Sequence, residues 1–212
     1  MDSAWSDRLR EGAAALRLDL PEAALAPLLR HVELLLKWNK TINLTAITDP
    51  DQVLELHVLD SLAAAAKVPP GTLLDAGTGA GFPGVPIRLL RADVAVTLVD
   101  SVGKKVAFLK NLLADLRLPG TRAVAARLAG KPHEEGLGLF DGAISRAFTA
   151  PEAWVQLATS YVKPGGTILC LAGPRDPMPA QVGAARRVEE VEFALPFSGA
   201  ARRIGRYLVA AE

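Results

Sequence analysis

Apolar residues recur at three- and four-residue steps through the first seventy residues, a spacing that predicts helices and little else. One short amphipathic segment ends at Leu18, and a second begins at Pro21. The second presents one apolar face, formed by Leu25, Leu28, Leu29, Val32, Leu35 and Leu36. Pro27 interrupts that face and predicts a kink or a restart of the helix. A third helix is predicted from Asp49-Pro50 to about Ala66, because aspartate caps helices well and proline suits their first position.

The hydrophobic period changes after Val68-Pro69-Pro70-Gly71, a combination that ends helices. From there short apolar runs alternate with helix-length segments, the pattern of a parallel sheet with crossover helices. The predicted strands of that sheet are Thr72–Ala76, Val94–Val99, Arg122–Ala125, Gly142–Ser145 and Thr167–Leu171. Two later β-rich stretches, Val188–Leu195 and Ile204–Ala210, are predicted to form a hairpin at the sheet edge. We therefore predict a helical cap over residues 1–70 and an α/β domain over residues 71–212.

The clearest crossover helix is predicted to run from Val102 to Leu116. Its predicted buried stripe consists of Val102, Val106, Leu109, Leu113 and Leu116. The charged residues on the other face include Lys104, Lys105 and Lys110, which should face solvent.

The composition is that of an ordinary folded core, with 50% hydrophobic, 22% charged and 5% aromatic residues, which argues against disorder and against a disulfide scaffold. The single cysteine, Cys170, cannot form an internal disulfide, and a cytoplasmic location is expected. No run reaches the roughly 18 apolar residues of a membrane span, and residues 1–17 lack the apolar core of a signal peptide. The formal net charge of +1 excludes a polybasic chain, so a phosphate-bearing partner would have to meet a local patch.

The strongest chemical signal is the turn after the first predicted strand, Asp75-Ala76-Gly77-Thr78-Gly79-Ala80-Gly81-Phe82-Pro83-Gly84. Glycines in such a turn let a ligand approach the backbone closely. The dinucleotide fingerprint G-x-G-x-x-G requires glycine where Phe82 stands. The spacing is instead Asp-x-Gly-x-Gly-x-Gly, typical of S-adenosylmethionine-binding methyltransferases. Alone, a glycine turn after a strand is as often structural as functional.

Asp100 supplies a second signal, because it ends the second predicted strand 23 positions after Gly77. An acid at this position can accept hydrogen bonds from both ribose hydroxyls of an adenosine. By itself Asp100 would be better interpreted as a cap of the following helix. Together with the glycine turn, it predicts an adenosyl ligand across the carboxyl ends of the first two strands.

Five segments carry a resemblance to a known family over roughly residues 35–175. They are Asn43–Ala46, Glu55–Ser61, Asp75–Gly84, Val99–Lys105 and Phe140–Phe148. In these segments and in their order the chain resembles the glucose-inhibited division protein B family, the methyltransferases G of the bacterial small-subunit ribosomal RNA. The Gly-Phe-Pro-Gly and Ser-Arg-Ala-Phe stretches are more specific than the glycine turn alone.

The resemblance implies a class I S-adenosylmethionine-dependent methyltransferase, with a Rossmann-like, seven-stranded, mostly parallel sheet and an N-terminal helical cap. It implies methylation of guanine N7 in the 530 loop of 16S rRNA. The implied cofactor residues are Asp75, Gly77, Gly79, Gly81, Phe82, Asp100, Leu128, Ala129 and Arg146. Gly77 and Phe82 would line the methionine end of S-adenosyl-L-methionine, and Asp100 would bind the ribose. Leu128-Ala129 would meet the adenine, and Arg146 would stand at the mouth where cofactor and target meet.

The chain departs from the family at three positions. Ala129 stands where the family often has an acid, so the adenine amino group would have to meet backbone there. Ala126 replaces a common serine, and Ala172-Gly173 replaces a usual lysine-glycine pair. These departures leave open an interpretation as a ribosome-assembly factor that binds the cofactor but has weak or no turnover. An NAD-linked oxidoreductase is a further alternative, disfavoured by Phe82.

The implied chemistry requires few special groups. Guanine N7 has an in-plane lone pair that is unprotonated near neutral pH, so methyl transfer needs positioning and desolvation rather than a general base. We therefore expect neither a catalytic triad nor a metal, and the wide spacing of His31, His57 and His133 agrees with this expectation.

Several polar residues of the first seventy have a structural explanation as well as a functional one. His57, Asp60 and Ser61 lie within one helical turn, and a hydrogen-bond network that docks the cap is the favoured interpretation. Asn39 and Asn43 are expected to bond their own loop first and a nucleic acid second.

The predicted RNA contacts are Arg88, Lys104, Lys105 and Arg146. The two lysines follow Asp100 directly, whereas Arg88 and Arg91 would lie on the helix after the glycine turn, where an ordinary solvated face is the alternative. Arg146 follows a strand and could bind a phosphate or carboxylate, or merely pair on the surface with Asp141 or Glu152.

Near the C-terminus, three arginines could extend this patch or balance nearby acids. They are Arg202, Arg203 and Arg206, and the acids are Glu189, Glu190 and Glu192. Phe82 and Phe148 could stack on a base, but are better explained as core or cofactor wall. The expected partner is 16S rRNA or the 30S ribosomal subunit, bound by a monomer.

Overall fold

The computed structural model describes residues 3–211. The helices are α1 Ser3–Ala15, α2 Glu22–Asn39, α3 Pro50–Val53, α4 Asp60–Ala63, α5 Gly84–Leu90, α6 Gly103–Asp115 and α7 Pro151–Ala158. A π-helical turn, Leu54–Leu59, joins α3 to α4, and a 3-10 turn, Ala65–Lys67, follows α4. The strands are β1 Gly71–Ala76, β2 Val94–Asp100, β3 Thr121–Ala125, β4 Phe140–Arg146, β5 Val162–Ala172, β6 Gln181–Val182, β7 Ala185–Ala194 and β8 Ala201–Val209.

All described strands belong to one sheet, in the order β3-β2-β1-β4-β5-β8-β7-β6. The first five strands are parallel, and β8 pairs antiparallel with both β5 and β7. The predicted α/β sheet and its closing hairpin are thus confirmed. The described sheet has eight strands rather than the predicted seven, because the two-residue strand Gln181–Val182 adds an edge.

The strand order reverses beside β1, which lies between β2 and β4. Crossover helices leave a crevice at such a reversal, outside the carboxyl ends of the strands, and ligands of open α/β sheets bind there. The glycine turn follows β1 and Ala147 follows β4, so both border this crevice. The fold therefore brings the most informative sequence motif to its ligand-binding edge.

The N-terminal helices pack onto one face of the sheet through a shared hydrophobic cluster. Leu28 and Leu59 belong to this cluster together with Val85 and Leu109, and all four are buried. Helix α2 continues through Pro27 as one element, so the predicted alternative of a restart is wrong. The remaining backbone bonds of the helix and the packing of its apolar face outweigh the amide lost at the proline.

The third predicted helix begins as expected but is not a continuous α-helix. Asp49 caps it, accepting a hydrogen bond from the Gln52 amide at 2.9 Å. From Leu54 to Leu59 the backbone widens into a π-helical turn, a feature often found at functional sites. Within this turn the carbonyl of Leu56 accepts a hydrogen bond from Arg146. The α-helical periodicity of the sequence does not predict this turn or its contact with a residue 90 positions away.

Glu55, in the same turn, ties the cap to the far end of the chain. Its carboxylate is buried, and Oε1 accepts hydrogen bonds from the backbone amides of Phe197 and Ser198, both at 2.7 Å. These amides belong to the connection between β7 and β8. The closing hairpin therefore supports the cap as well as the sheet.

The stripe predicted for the crossover helix is partly wrong. Val102 is 45% exposed, because it precedes α6 in extended backbone and so does not follow the helical period. Val106 and Leu109 are buried as predicted, joined by Phe108 and Leu112.

Candidate active site

The glycine turn is held from beneath by Asp75. This side chain is fully buried, and its Oδ2 accepts hydrogen bonds from Thr78 Oγ1 at 2.6 Å and from the Gly84 amide at 2.8 Å. Burial raises the pKa of Asp75 to about 7. Asp75 lines neither of the two cavities beside the turn. Its position is that of a support for the turn rather than of a wall.

The glycines of the turn adopt backbone conformations that side chains resist. Gly77, Gly79 and Gly81 have φ values of +64°, +59° and +92°. A Cβ at Gly77 would lie 2.4 Å from the Phe148 ring, and one at Gly81 would crowd Val85. A Cβ at Gly79, by contrast, would find nothing closer than the Gly77 carbonyl oxygen at 4.0 Å. The backbone at Gly79 therefore faces open space, as a cradle for a ligand requires.

Two cavities meet at this turn, and both touch Gly77 and Ala147. The first, here the β2–β3 cavity, has a volume of about 580 Å³ and is lined by Asp100, Ser101, Leu128 and Phe148 among others. The second, here the cap cavity, has a volume of about 420 Å³. Its walls include Thr45, His57, Asp60, Gly79, Phe82, Arg146 and Arg202. Ala147 joins the cavities with φ at +53°, a strained conformation that clusters at functional sites.

Asp100 borders the β2–β3 cavity as predicted, and it is not the helix cap. Its Oδ2 accepts a hydrogen bond from the Gly79 amide at 3.0 Å, and Oδ1 accepts one from the Val102 amide at 2.9 Å. Each carboxylate oxygen has a further lone pair available for a ligand hydroxyl. Lys105 Nζ lies 3.9 Å from Oδ2. The side chain thus links the glycine turn to the start of α6.

The predicted adenine contacts separate in the structure. Leu128 lines the β2–β3 cavity, but Ala129 does not. The Ala129 amide already donates a hydrogen bond to Glu135 Oε1 at 2.8 Å, and Tyr161 donates to Oε2 of the same glutamate. The Ala129 amide therefore holds Glu135, and as a donor it could not accept a hydrogen bond from an adenine amino group.

Arg146 docks the cap onto the end of β4. Its Nη1 donates to the Leu56 carbonyl at 2.8 Å and to Asp60 Oδ2 at 3.1 Å, and Nη2 donates to His57 Nδ1 at 3.1 Å. The predicted surface pairs with Asp141 or Glu152 are wrong, because the cap supplies a buried carboxylate closer at hand. Arg202 Nε lies 3.5 Å from the second oxygen of Asp60. The network expected of His57 and Asp60 is confirmed.

Phe82 is enclosed by two histidines. Its ring stacks on His31 at 4.4 Å and on His57 at 5.0 Å between centroids, and the residue is 4% exposed. His31 Nε2 bonds the Ala80 carbonyl at 2.7 Å. Burial lowers the pKa of His31 to about 4, and burial together with the Arg146 charge lowers that of His57 to about 3. Both rings are neutral near pH 7, and neither face of Phe82 is free to stack on a base.

His31 is a site residue that the sequence-based argument did not select. The signal was a polar side chain within the apolar face of α2, between Leu28 and Val32. Arg202 and Arg203, for which the sequence left open an extension of the basic patch or a balance of nearby acids, line the cap cavity. Arg203 pairs with Glu190 and Glu192, and Arg206 pairs with Glu189 at 3.0 Å. Arg203 and Arg206 therefore balance nearby acids, which was one of the two predicted alternatives.

The predicted RNA-contact residues fall into two groups. Lys104 is exposed, and with Lys105 it borders a small third cavity against the loop at Thr41–Leu44. Arg88, in contrast, donates to the Pro119 carbonyl at 3.0 Å, just before β3 and hence at the amino end of the sheet. Arg91 pairs with Asp93 at that same end. The structure therefore does not bring Arg88 together with the lysines and Arg146.

Over residues 3–211, no group of three or more His, Cys, Asp or Glu side chains is placed to hold a metal ion. None of the helices described there is long and apolar enough to cross a membrane. Cys170 is buried as a free thiol, and burial raises its pKa to about 12.

The chain is a class I methyltransferase by its fold. The ligand-binding half of this class has a reversed strand order, a glycine turn at the reversal and an acid at the end of the next strand. The model of the GidB family, described as rRNA small subunit methyltransferase G, matches residues 24–192. The chain belongs to the GidB family.

Individual relatives agree with this assignment. The chain is 46% identical to ribosomal RNA small subunit methyltransferase G of Myxococcus xanthus, over 96% of this chain and 97% of the relative. It is 42% identical to the protein of that name from Anaeromyxobacter dehalogenans, over 98% and 99%. Among solved structures, a protein of Agrobacterium tumefaciens described as a predicted O-methyltransferase is similar with a TM-score of 0.51. That likeness covers 66% of this chain and 74% of the other at 18% identity, and it supports the fold alone.

Proposed function

We propose that this protein transfers a methyl group from S-adenosylmethionine to N7 of a guanine in the 530 loop of 16S rRNA. The observation that carries the proposal is the pair of cavities that meet at Gly77 and Ala147. One offers an acid and apolar walls for a nucleoside, and the other opens between the glycine turn and the cap. A donor and an acceptor would then meet at the junction.

The β2–β3 cavity fits the adenosine half of the cofactor. Asp100 would accept hydrogen bonds from the ribose hydroxyls, and Leu128 would pack on the adenine. The methionine half would pass Gly77 and lie against the open backbone at Gly79. Phe82 would lie behind it and Arg146 at the mouth. Gly81 and Asp75 would shape the turn. Ala129 would not contact the adenine, because it lies outside the lining of this cavity. When bound, the cofactor supplies an electrophilic methyl group.

The cap cavity suits a target that needs no deprotonation. His57 is neutral, and Arg146 is engaged by the cap, so neither is poised to remove a proton. Guanine N7 presents a free lone pair, and the protein would contribute alignment and exclusion of water. Residues 1–70 would act as the cap over this cavity, and residues 71–212 as the methyltransferase domain.

The RNA would be met by a small basic rim rather than by bulk charge. Lys105 lines the β2–β3 cavity and Lys104 lines the small third cavity beside it, and Arg146 lines the cap cavity. Arg88 is not part of this rim, and a contact there would require RNA to reach the opposite edge of the sheet. The substrate would be naked 16S rRNA or the 30S subunit, bound by a monomer in the cytoplasm.

A labelling experiment tests the proposal. The protein is incubated with tritiated S-adenosylmethionine and either 30S particles or naked 16S rRNA, and N7-methylguanine is located by cleavage of the RNA at that base. Label in the 530 loop supports the proposal, and label at another site in the RNA would show that the target guanine lies outside this loop. Cofactor binding without label would favour the assembly-factor alternative. Tight NADH binding without binding of S-adenosylhomocysteine would favour the oxidoreductase.

A further inference from the structure

A chain of hydrogen bonds fixes Thr45 on the wall of the cap cavity. The Asn39 side chain accepts from the Thr45 amide at 3.0 Å and donates to its carbonyl at 2.9 Å, which holds the backbone. The side chain is held by His57, whose Nε2 lies 2.9 Å from Thr45 Oγ1, and by the Ile47 amide, which donates to the same oxygen at 3.1 Å. Thr45 therefore presents its hydroxyl in one orientation.

The direction of these bonds follows from Arg146. A guanidinium only donates, so His57 Nδ1, 3.1 Å from Arg146 Nη2, must accept. The neutral ring then carries its proton on Nε2 and donates it to Thr45 Oγ1. The hydroxyl oxygen accepts this bond and the one from Ile47, which occupies both of its lone pairs. No acceptor for the hydroxyl proton lies among residues 3–211, so the group can only donate, and it borders the cap cavity.

We infer that Thr45 selects guanine as the target by donating a hydrogen bond to O6. The inference rests on the proposed function and adds the means by which the base is recognised. Beside N7, guanine presents the O6 acceptor, whereas adenine presents an amino donor at the same place. A hydroxyl free to rotate would tolerate both, but one whose lone pairs are taken would leave an adenine amino group unpaired. Because burying an unpaired polar group is costly, this arrangement would discriminate strongly against adenine.

The cofactor is the other molecule that could accept this proton, through its carboxylate. Because the methionine half would lie against Gly79 on the wall of the same cavity, the affinity for S-adenosylhomocysteine decides between its carboxylate and the base. Thr45, His57 and Asp60 come from the cap, and none of the described cap residues, 3–70, lines the β2–β3 cavity that would hold the adenosine. The cap thus builds the side of the junction that the nucleoside of the cofactor does not reach.

The test compares the full-length protein with Thr45→Val, which removes the hydroxyl but keeps the shape, and with Thr45→Ser, which keeps the hydroxyl. Single-turnover methylation is measured on 16S rRNA ligated to carry either guanine or 2-aminopurine at the target. The analogue keeps N7 and lacks O6. On guanine, we expect Thr45→Val to be about tenfold slower, the size of one lost hydrogen bond, and Thr45→Ser to remain within about threefold of the original.

The analogue separates recognition from structural damage. On 2-aminopurine, Thr45→Val should be no slower than the unaltered protein, because the bond to O6 is already absent. The role of Thr45 would be overturned if Thr45→Val were as much slower than the unaltered protein on 2-aminopurine as on guanine. It would also be overturned if the two proteins had equal rates on guanine. A weaker calorimetric affinity for S-adenosylhomocysteine would overturn it too, because it would assign the hydroxyl to the cofactor. No transfer by the unaltered protein to the guanine substrate would overturn the proposed function as well.

Discussion

The two cavities that meet at Gly77 and Ala147 are built in different ways. The β2–β3 cavity is made from strand ends and backbone, with Asp100 bonding the amides of Gly79 and Val102. The cap cavity depends on side chains that meet across the chain, such as Arg146 and Asp60, 86 positions apart. The first construction follows from the fold, whereas the second belongs to this particular cap. Substitutions on the cap side should therefore reduce stability, and those on the other side should reduce cofactor affinity.

The largest effect is expected on stability, when the ion pair between Arg146 and Asp60 in the cap cavity is removed. Arg146→Ala leaves the buried Asp60 with only Arg202, at 3.5 Å, as a charged partner. Removing the nearer partner of a buried charge is strongly destabilising, so the free energy of unfolding should fall by about 3 kcal/mol. Chemical denaturation measures this. Arg88→Ala, which removes a half-buried arginine from the opposite edge, is the matched control and should cost far less. Equal losses for the two variants would contradict the contrast between the cavities.

A second effect concerns pH, through His31. Its folded pKa of about 4 lies below the unfolded value of about 6.5. Stability from the neutral ring is therefore complete above pH 6.5 and is lost as the pH falls toward the folded value. His31→Gln keeps a donor at the position of Nε2 and does not titrate. Between pH 7.5 and 5, the stability difference between the two proteins should shift by about 2 kcal/mol in favour of the variant.

Other groups, including Asp75 with its raised pKa, titrate in both proteins and cancel in this comparison. If the stability difference between the two proteins does not change with pH, His31 is not held neutral between the cap and the glycine turn.

On the glycine turn, the expected effect is on cofactor binding. Gly79→Ala places a methyl group in the open space above the turn, and affinity for S-adenosylhomocysteine should fall about tenfold by calorimetry. Gly136→Ala is matched, because Gly136 also has a positive φ, +69°, and an open Cβ position, but lies outside both cavities. Both variants carry similar backbone strain. If both lose affinity alike, Gly79 does not face the cofactor.

The smallest effect is expected at the basic rim. Lys104→Ala should reduce the salt dependence of RNA binding by about 0.7 in the log–log slope, the value for one contact to a single-stranded phosphate. Cofactor affinity should not change. Arg88→Ala again serves as the control, since it removes the same charge from the distant edge. The opposite result, a lower slope only for Arg88→Ala, would move the RNA surface away from the two cavities.

The sequence predicted one cavity well and the other poorly, for a physical reason. Strand positions, the glycine turn and Asp100 are local in the chain, and local periodicity and turn chemistry determine them. The π-helical turn, the Arg146–Asp60 pair and the position of His31 against Phe82 depend on contacts between distant segments. No spacing rule contains them. Ala129 shows the limit of resemblance, because it lies outside the β2–β3 cavity and its amide binds Glu135, a partner that no motif includes.

The tie between Glu55 and the amides of Phe197 and Ser198 bears on the order in which the molecule is completed. The cap is translated first, yet its buried carboxylates at Glu55 and Asp60 find their partners at Arg146, Phe197, Ser198 and Arg202. Long-range contacts of this kind form late, since the intervening chain must first be ordered. During synthesis, the bonds from Glu55 and Asp60 to Phe197, Ser198 and Arg202 can therefore form only after the last strands have been made. The cap cavity, which we propose holds the target, is lined in part by Arg202 and Arg203, so a chain truncated before them would lack part of its wall.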